Sequence, residues 1–358
     1  MNREEHINAF SCLGKLINVW LAQDEDACDE LGGKGLYAAF STAVWQAAKD
    51  NEWFTEQGIK DALAAISTEM LAEVKLRAWL EGYGYNDRAS LAKPVGVIAA
   101  GNIPLVCFHD IMCVMLSGYG LLLKPSSKDR ALIEKIVELL IYFEPKLSER
   151  IKLSYLAKRE DISALIATGS NNTARYIEYE FAGISILSRK NRTSVAILTG
   201  DETEEELMLL GDDIFSYFGM GCRNISKLFL PKGYDFSTLI ASLNLWTEKL
   251  SRQAKYVGSY RHERAISLSL NEQVINGDIF LLKESKQLNS PLSVIYYEFF
   301  SNLESVKNHL IQNADLLQCV AAADGTIGNV RFGQTQKPAL SDYADGVDTI
   351  QWLTNNIK

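Results

Sequence analysis

Apolar residues recur at three- and four-residue spacing in Phe10-Leu13-Leu16-Ile17-Trp20, from Leu36 to Ala48 and from Met70 to Leu80, so residues 1 to about 83 are expected to be helical. Gly32-Gly33 and Asn51 fall between these stretches, and a Gly-Tyr-Gly-Tyr-Asn-Asp break at 82–87 ends them. From Lys93 the period changes. Pro94 to Ala100 is a short, continuous apolar run ending at Gly101-Asn102, the pattern of a strand buried on both faces. A helix is expected from about Leu105 to Leu116, a strand over Gly120–Leu123 and a helix from about Lys128 to Phe143. Two further strands follow, from Ile151 to Tyr155 and from Ile162 to Ala167, and another helix begins near Thr173. Strands and helices alternating at this spacing imply an α/β chain with a parallel sheet and right-handed crossovers. Residues 211–332 alternate again, less regularly, as a second α/β lobe would.

Composition narrows the function classes. At 358 residues, 47% hydrophobic and 23% charged, the chain can bury a large core without disulfides or a structural metal. Its net charge of −9 and the lack of a long Lys/Arg tract argue against a nucleic-acid partner. The most apolar stretch, Val97–Leu123, is interrupted by Asn102, His109 and Asp110 and is not expected to span a membrane. The start, MNREEHINAF, has no apolar core of a secretory signal. Six scattered cysteines (12, 28, 107, 113, 222 and 319) without a CxxC pair read as reduced thiols of a cytoplasmic protein.

In open parallel sheets ligands bind beyond the strand carboxyl ends, so the loops there come first. Gly101-Asn102-Ile-Pro104, Lys124-Pro-Ser126-Ser127 and Thr168-Gly169-Ser170 are rich in small polar residues, and each precedes a helix whose free amides suit phosphate. Together they point to a nucleotide site, although the G-x-G-x-x-G fingerprint is absent. The second focus is Tyr217-Phe-Gly219-Met-Gly221-Cys222-Arg223-Asn224. Glycines there permit close approach of a ligand, and a neighbouring guanidinium would favour the thiolate, so Cys222 is a nucleophile candidate. The opposing reading is that a free cysteine is a small buried hydrophobe, which is preferred for the other five. His109-Asp110 reads as a base with its orienting carboxylate or, more often, as a structural pair. Histidines 6, 109, 262 and 309 form no metal-spaced set. Asp201-Glu-Thr-Glu-Glu-Glu206 reads as a metal site or, preferably, as an acidic first helical turn. Arg189-Lys190-x-Arg192 is a solvated face or a contact for cofactor phosphates.

Taken in order, these segments resemble the aldehyde dehydrogenase superfamily, in particular its acyl-CoA reductase branch, which includes the long-chain acyl reductase of bacterial luminescence. Gly101-Asn102-Ile103-Pro104 is similar to a Trp-Asn-Phe-Pro segment whose Asn forms half of an oxyanion hole. Lys124-Pro125-Ser126 is similar to the segment that holds the adenosine ribose, and Thr168-Gly169-Ser170 to the one at the pyrophosphate. Gly221-Cys222 resembles the segment of the catalytic thiol, and Arg331-Phe332-Gly333 a Phe-Gly near the chain end. The resemblance implies an α/β, aldehyde dehydrogenase-like fold: a Rossmann-like parallel-sheet cofactor domain and a second α/β catalytic domain, preceded by a helical segment. The expected divisions are 1–90 (helical segment), 91–197 (dinucleotide-binding), 198–332 (catalytic) and 333–358 (C-terminal segment).

The departures from the superfamily pattern sharpen the expectation. Ile186–Asn191 holds no carboxylate where hydrolytic members carry the Glu that activates water, so thiol exchange is favoured over hydrolysis. Ser127 and Lys128 stand where NAD-using members carry Glu, which points to NADP(H). Glu284 is the candidate for holding the nicotinamide ribose. The resemblance thus implies an NADPH-dependent reductase that converts a fatty acyl thioester to aldehyde through a Cys222 acyl-enzyme. Asn102 and a backbone amide would hold the oxyanion, with Lys124, Ser126, Ser127, Gly169 and Ser170 along the cofactor. The partners implied are coenzyme A, an acyl-CoA or acyl-protein thioester, and either a second copy of the chain or an acyl-transferring protein. Two rivals stay open: an oxidative aldehyde dehydrogenase with His109 or Glu284 as base, and a non-catalytic subunit that binds an acyl group or a protein.

Overall fold

The first helix, α1 (Arg3–Leu21), opens on a capping box in which the Asn2 side chain accepts from Glu5 N at 3.0 Å and the Glu5 carboxylate accepts from Asn2 N at 2.7 Å. The computed structural model describes residues 2–85, 93–154, 158–169 and 171–357. In it the chain separates into two units, Met1–Asn191 with Lys337–Lys358, and Arg192–Gln336.

In the first unit α1 is followed by α2 (Lys34–Asp50), α3 (Glu56–Ala65) and α4 (Glu73–Leu80). Then come β1 (Val95–Ile98), α5 (Phe108–Leu116), β2 (Leu121–Lys124), α6 (Arg130–Phe143), β3 (Ile151–Leu153), β4 (Ala164–Thr168), α7 (Asn171–Glu180) and β5 (Ser185–Arg189). The five strands form one parallel sheet in the order β3-β2-β1-β4-β5. Each face of its centre is covered, which is why the inner strands β1, β2 and β4 are apolar nearly to their ends instead of alternating. Val95, Val97, Leu121, Leu123 and Ile166 pack into one cluster with Phe10, Leu13, Ile17, Phe40, Ile133 and Ile136 of the helices. Leu122, Leu165 and Ala167 pack on the other face with Ile177 and Phe181. The N-terminal helices therefore share a single core with the sheet. Burial of this kind contributes roughly 25 cal/mol per Å² of apolar surface removed from water.

The strand starts and ends expected from the apolar runs hold to within two residues. The helix after β1 begins later than expected, at Phe108, because Leu105 has a φ of +54° and cannot continue an α-helix.

The second unit runs β6 (Thr193–Ile197), α8 (Glu204–Phe215), β7 (Ile225–Pro231), α9 (Phe236–Asn244), α10 (Thr247–Ser251), α11 (Ala254–Ser269), β8 (Val274–Asn276), β9 (Leu281–Glu284), β10 (Val294–Phe300), α12 (Leu303–Gln312), β11 (Leu317–Ala322) and β12 (Val330–Arg331). Its strands form one sheet in the order β12-β11-β6-β7-β10-β9-β8, parallel except for β8 against β9. Val195, Ile197 and Phe229 of the sheet pack against Val306 and Leu310 of α12. Among the described residues no helix is long and apolar enough to cross a membrane.

Candidate active site

In the first unit the strand order reverses at β1, with β2 and β3 on one side of it and β4 and β5 on the other. Such a reversal opens a crevice outside the carboxyl ends of the strands, where ligands of doubly wound sheets bind. The loops after β1, β2 and β4 leave from that edge. They carry Asn102, Lys124, Ser126, Ser127 and Gly169, so the topology brings these sequence candidates to one end of one sheet. Ser170 lies outside the described residues.

Local packing holds the first two loops together. Gly101 sits so close to its neighbour that a Cβ there would collide with Ser126 Oγ and lie 2.9 Å from Lys128 Cβ, which only glycine avoids. Ser126 Oγ accepts from Lys128 N at 3.3 Å, and Asn51, at the end of α2, donates Nδ2 to Lys128 O at 3.1 Å. Lys124 is half-buried at its strand end, whereas Ser127 and Lys128 are exposed. A lysine at a strand end, two exposed polar residues and a glycine before α7 suit an anionic dinucleotide. The nearest carboxylate on that loop, Asp129, is buried and accepts from Leu105 N instead of facing solvent.

In the second unit Cys222 stands on the turn before β7. It is the exposed one of the six cysteines; Cys28, Cys107, Cys113 and Cys319 are buried and Cys12 is half-buried. Burial pushes the Cys107 and Cys113 thiols well above their ordinary range, which makes them inert. The approach to the turn is strained: Tyr217, Phe218 and Gly219 have φ of 52°, 59° and 78° in succession. Two non-glycine residues in the left-handed region cost roughly 1–2 kcal/mol each and persist only where the surroundings over-determine them.

Asn224 supplies that determination. It is buried, accepts from Gly221 N at 2.8 Å and donates Nδ2 towards the Asp213, Ile214 and Ser216 carbonyls at 3.1, 3.3 and 2.8 Å. These are the carbonyls left free where α8 ends, so one amide caps a helix and fixes the cysteine turn together. Ser194 of β6 adds a second tie: its hydroxyl donates to Cys222 O at 2.9 Å and accepts from Cys319 N at 3.0 Å. The guanidinium expected to favour the Cys222 thiolate sends Nη1 to Cys319 Sγ, 3.3 Å away. Below the turn, a cavity of about 180 Å³ is bounded by Phe218, Gly219, Asn224, Tyr256 and the Asn289–Ser293 loop.

The Phe-Gly segment near the chain end is anchored to α8 as well. Asp213 accepts from Gly333 N at 2.7 Å, Thr335 N at 3.1 Å and Thr335 Oγ1 at 2.7 Å. Burial raises its carboxyl to about 6 despite these bonds. Between about pH 4 and 6 the folded chain therefore holds a proton that the unfolded chain has released, so this stabilisation is complete below about 4 and is lost as pH rises through about 6. Denaturation of wild type and Asp213→Asn across that window should show the wild-type advantage shrinking by roughly 3 kcal/mol. Parallel profiles for the two proteins would rule this out.

Of the other candidates, Arg189 is placed elsewhere than the sequence pattern suggests, whereas the acidic run and His109-Asp110 take the local and structural roles preferred from the sequence. Arg189 is neither a solvated face nor a phosphate contact. It is buried, with Nη2 2.9 Å from Asp110 Oδ1 and 2.6 Å from Thr349 Oγ1, and Nη1 2.6 Å from Ala344 O. Asp110 thus pairs with Arg189. His109 Nε2 lies 3.0 Å from Leu340 O, where it can only donate, and its ring packs between Trp79 and Tyr343. Arg192 donates to the Leu317 carbonyl at 2.8 Å. Glu284 is exposed at the end of β9, opposite Tyr297, which itself pairs with Leu228 in the middle of β7. That register sets Glu284 two strands from β7 and beyond the level of the Cys222 turn. The acidic run before α8 is engaged in local structure: Glu206 closes a capping box with Thr203, and the Glu202 carboxylate accepts from Thr199 N and Gly200 N. Asn224, Ser194 and Asp213 were not legible as site-building residues, because their partners come from other elements.

No family model matches the sequence, and no curated protein is similar to it in sequence. Solved structures are similar in fold. Aldehyde dehydrogenase 21 of Physcomitrella patens, crystallised with its product succinate, superposes with a TM-score of 0.63 at 9% identity, over 98% of this chain and 84% of that one. The NAD+ complex of a Bacillus cereus aldehyde dehydrogenase gives 0.61 at 15% identity, over 90% and 72%. A Sinorhizobium meliloti NAD-dependent aldehyde dehydrogenase gives 0.61 at 12% identity, over 100% and 73%. Two α/β units with these sheets, preceded by helices, make the fold of this chain that of the aldehyde dehydrogenases.

Proposed function

We propose that the chain is a thiol-dependent oxidoreductase that acts on a carbonyl with a nicotinamide dinucleotide, and that it reduces an acyl thioester to the aldehyde. The observation that carries the reading is Cys222: in a fold shared with aldehyde dehydrogenases, it is the exposed cysteine and stands on a strained turn pinned by Asn224. The Cys222 sulfur adds to the thioester carbonyl carbon and the carbon–sulfur bond to coenzyme A breaks, so that coenzyme A leaves as its thiolate. The Asn102 amide donates to the oxygen as it becomes negative, a role taken from the sequence resemblance. The Lys124–Lys128 and Gly169 loops would hold a dinucleotide, which would supply hydride to the carbonyl carbon of the Cys222 acyl-enzyme. Collapse of the resulting thiohemiacetal returns the Cys222 thiol and releases aldehyde.

Two features support the finer points. Ile186–Asn191 carries no carboxylate to activate water, and Arg189 within it is committed to Asp110. On the cofactor loop Ser127 and Lys128 are exposed while Asp129 is buried, so a ribose 2′-phosphate meets no carboxylate there, which favours NADP(H). The oxidative reading also has an observation in its favour, because the similar structures include an aldehyde dehydrogenase holding the acid product.

The deciding assay follows NADPH oxidation with acyl-CoAs of graded length and, separately, aldehyde oxidation by NADP+ with and without coenzyme A. The expected result is one coenzyme A thiol released per NADPH consumed. Free acid formed from aldehyde at a comparable rate without coenzyme A would establish the oxidative reading instead. Dinucleotide binding without either reaction would establish a non-catalytic subunit.

A further inference from the structure

An aspartate just before a helix ordinarily accepts from that helix's own free amides. Asp129 stands in that position before α6 and makes no such bond. Its Oδ2 instead accepts from Leu105 N, 2.6 Å away on the loop after β1. Leu105 needs an anchor: its φ of +54° lies in the left-handed region that a side chain with a Cβ avoids. Leu105 is also the pivot of its loop, since its carbonyl accepts from Phe108 N at 2.9 Å where α5 begins. Asp129 belongs equally to the cofactor loop, where its own N–H donates to Ser126 O at 3.2 Å.

The arrangement is poor as a device for stability. Asp129 is 1% exposed, and its second oxygen, Oδ1, has no hydrogen-bond partner among the described residues. A buried carboxyl left half satisfied destabilises a fold, and α6 forgoes its cap as well. We propose that Asp129 is a positioning residue: its side chain is the strut that holds the Gly101–Leu105 loop, and with it Asn102, in the form that serves the reacting carbonyl. This rests on the reading that Asn102 acts on that carbonyl. Burial pushes the Asp129 carboxyl well above the ordinary carboxylate range, so a neutral side chain with the same oxygen does the same work.

The test compares Asp129→Asn, which keeps an acceptor for Leu105 N, with Asp129→Ser, which caps α6 in the ordinary way but is too short to reach the loop. Asp129→Asn should keep kcat within about 3-fold of wild type, whereas Asp129→Ser should lower it about 10²-fold, the loss expected for a misplaced oxyanion donor. Thermal stability of the serine variant should hold, and its Kd for NADPH, by fluorescence titration, should stay within about 3-fold. Amide hydrogen exchange in residues 101–108 should speed about 10-fold or more in Asp129→Ser alone. Unchanged kcat in the serine variant, or equal loss in both variants, would overturn the proposal. If the wild type shows no thiol-dependent turnover, the reading of Asn102 fails and takes the catalytic half of the proposal with it. The exchange experiment stands apart from that failure, since unchanged exchange in the serine variant overturns the strut itself.

Discussion

On the proposed mechanism, Cys222→Ala should lower kcat by about 10³-fold or more, because the variant lacks the covalent nucleophile that the acyl-enzyme route needs. The same substitution leaves stability nearly unchanged. The side chain is exposed, and surface substitutions away from special features stay within about 0.5 kcal/mol. The turn itself is held through backbone atoms, by Ser194 at Cys222 O and by Asn224 at Gly221 N, and both bonds survive the change. Paired measurements of turnover and thermal unfolding check this. Activity surviving in a folded Cys222→Ala protein would end the thiol mechanism. Parallel changes at Cys107 or Cys113 work the opposite way: both thiols are buried in the first core, so alanine there removes packing and lowers stability.

Asn224→Ala unfolds the chain more easily by about 3–5 kcal/mol, the largest stability effect expected from any residue of the site, because several polar groups lose their partner together. Gly221 N and the three carbonyls of residues 213, 214 and 216 are satisfied by one buried amide. Unpaired buried groups cost about 1–3 kcal/mol each, less whatever water can reach. Asp in place of Asn is no remedy: it keeps the acceptor for Gly221 N but sets an oxygen against three carbonyl oxygens. Denaturant midpoints for Asn224→Ala and Asn224→Asp should both fall well below wild type. Turnover of the folded fraction should fall too, since the left-handed run at Tyr217–Gly219 loses the contact that holds its far end. An aspartate variant as stable as wild type would show that the three carbonyl contacts carry no weight.

Much of the fold was legible in the chain for a simple reason. Strands of a parallel sheet are buried on both faces, so Val95–Ile98, Leu121–Lys124 and Ala164–Thr168 appear as unbroken apolar runs that local patterning reports directly. The loops after them were equally visible, because glycine, proline and small polar residues mark the point where a strand ends. Cys222 stood out by its glycine-rich surroundings. The charged positions were less legible. Arg189 looks like part of a basic surface cluster, yet its partner Asp110 is 79 residues away in the chain, and no local pattern reports a pair that distant. His109 and Asp110 are adjacent in sequence, but consecutive helical side chains diverge, and the two residues serve different neighbours.

By itself, then, the sequence determined the alternation of strands and helices, the loops that could meet a ligand and the identity of the cysteine to test, since each depends on residues within a few positions of one another. Tertiary structure decided the rest. The strand order that brings Asn102, Lys124 and Gly169 to one edge follows from which strand pairs with which. The exposure of Cys222 and the burial of Arg189, Asp110 and Asp129 follow from what packs over them. Asp129 shows the difference most plainly: its position spells a helix cap, and only the fold turns its oxygen away from α6 towards Leu105. Hydrogen-bond partners and solvation are properties of distance in space, and a chain records distance only along itself.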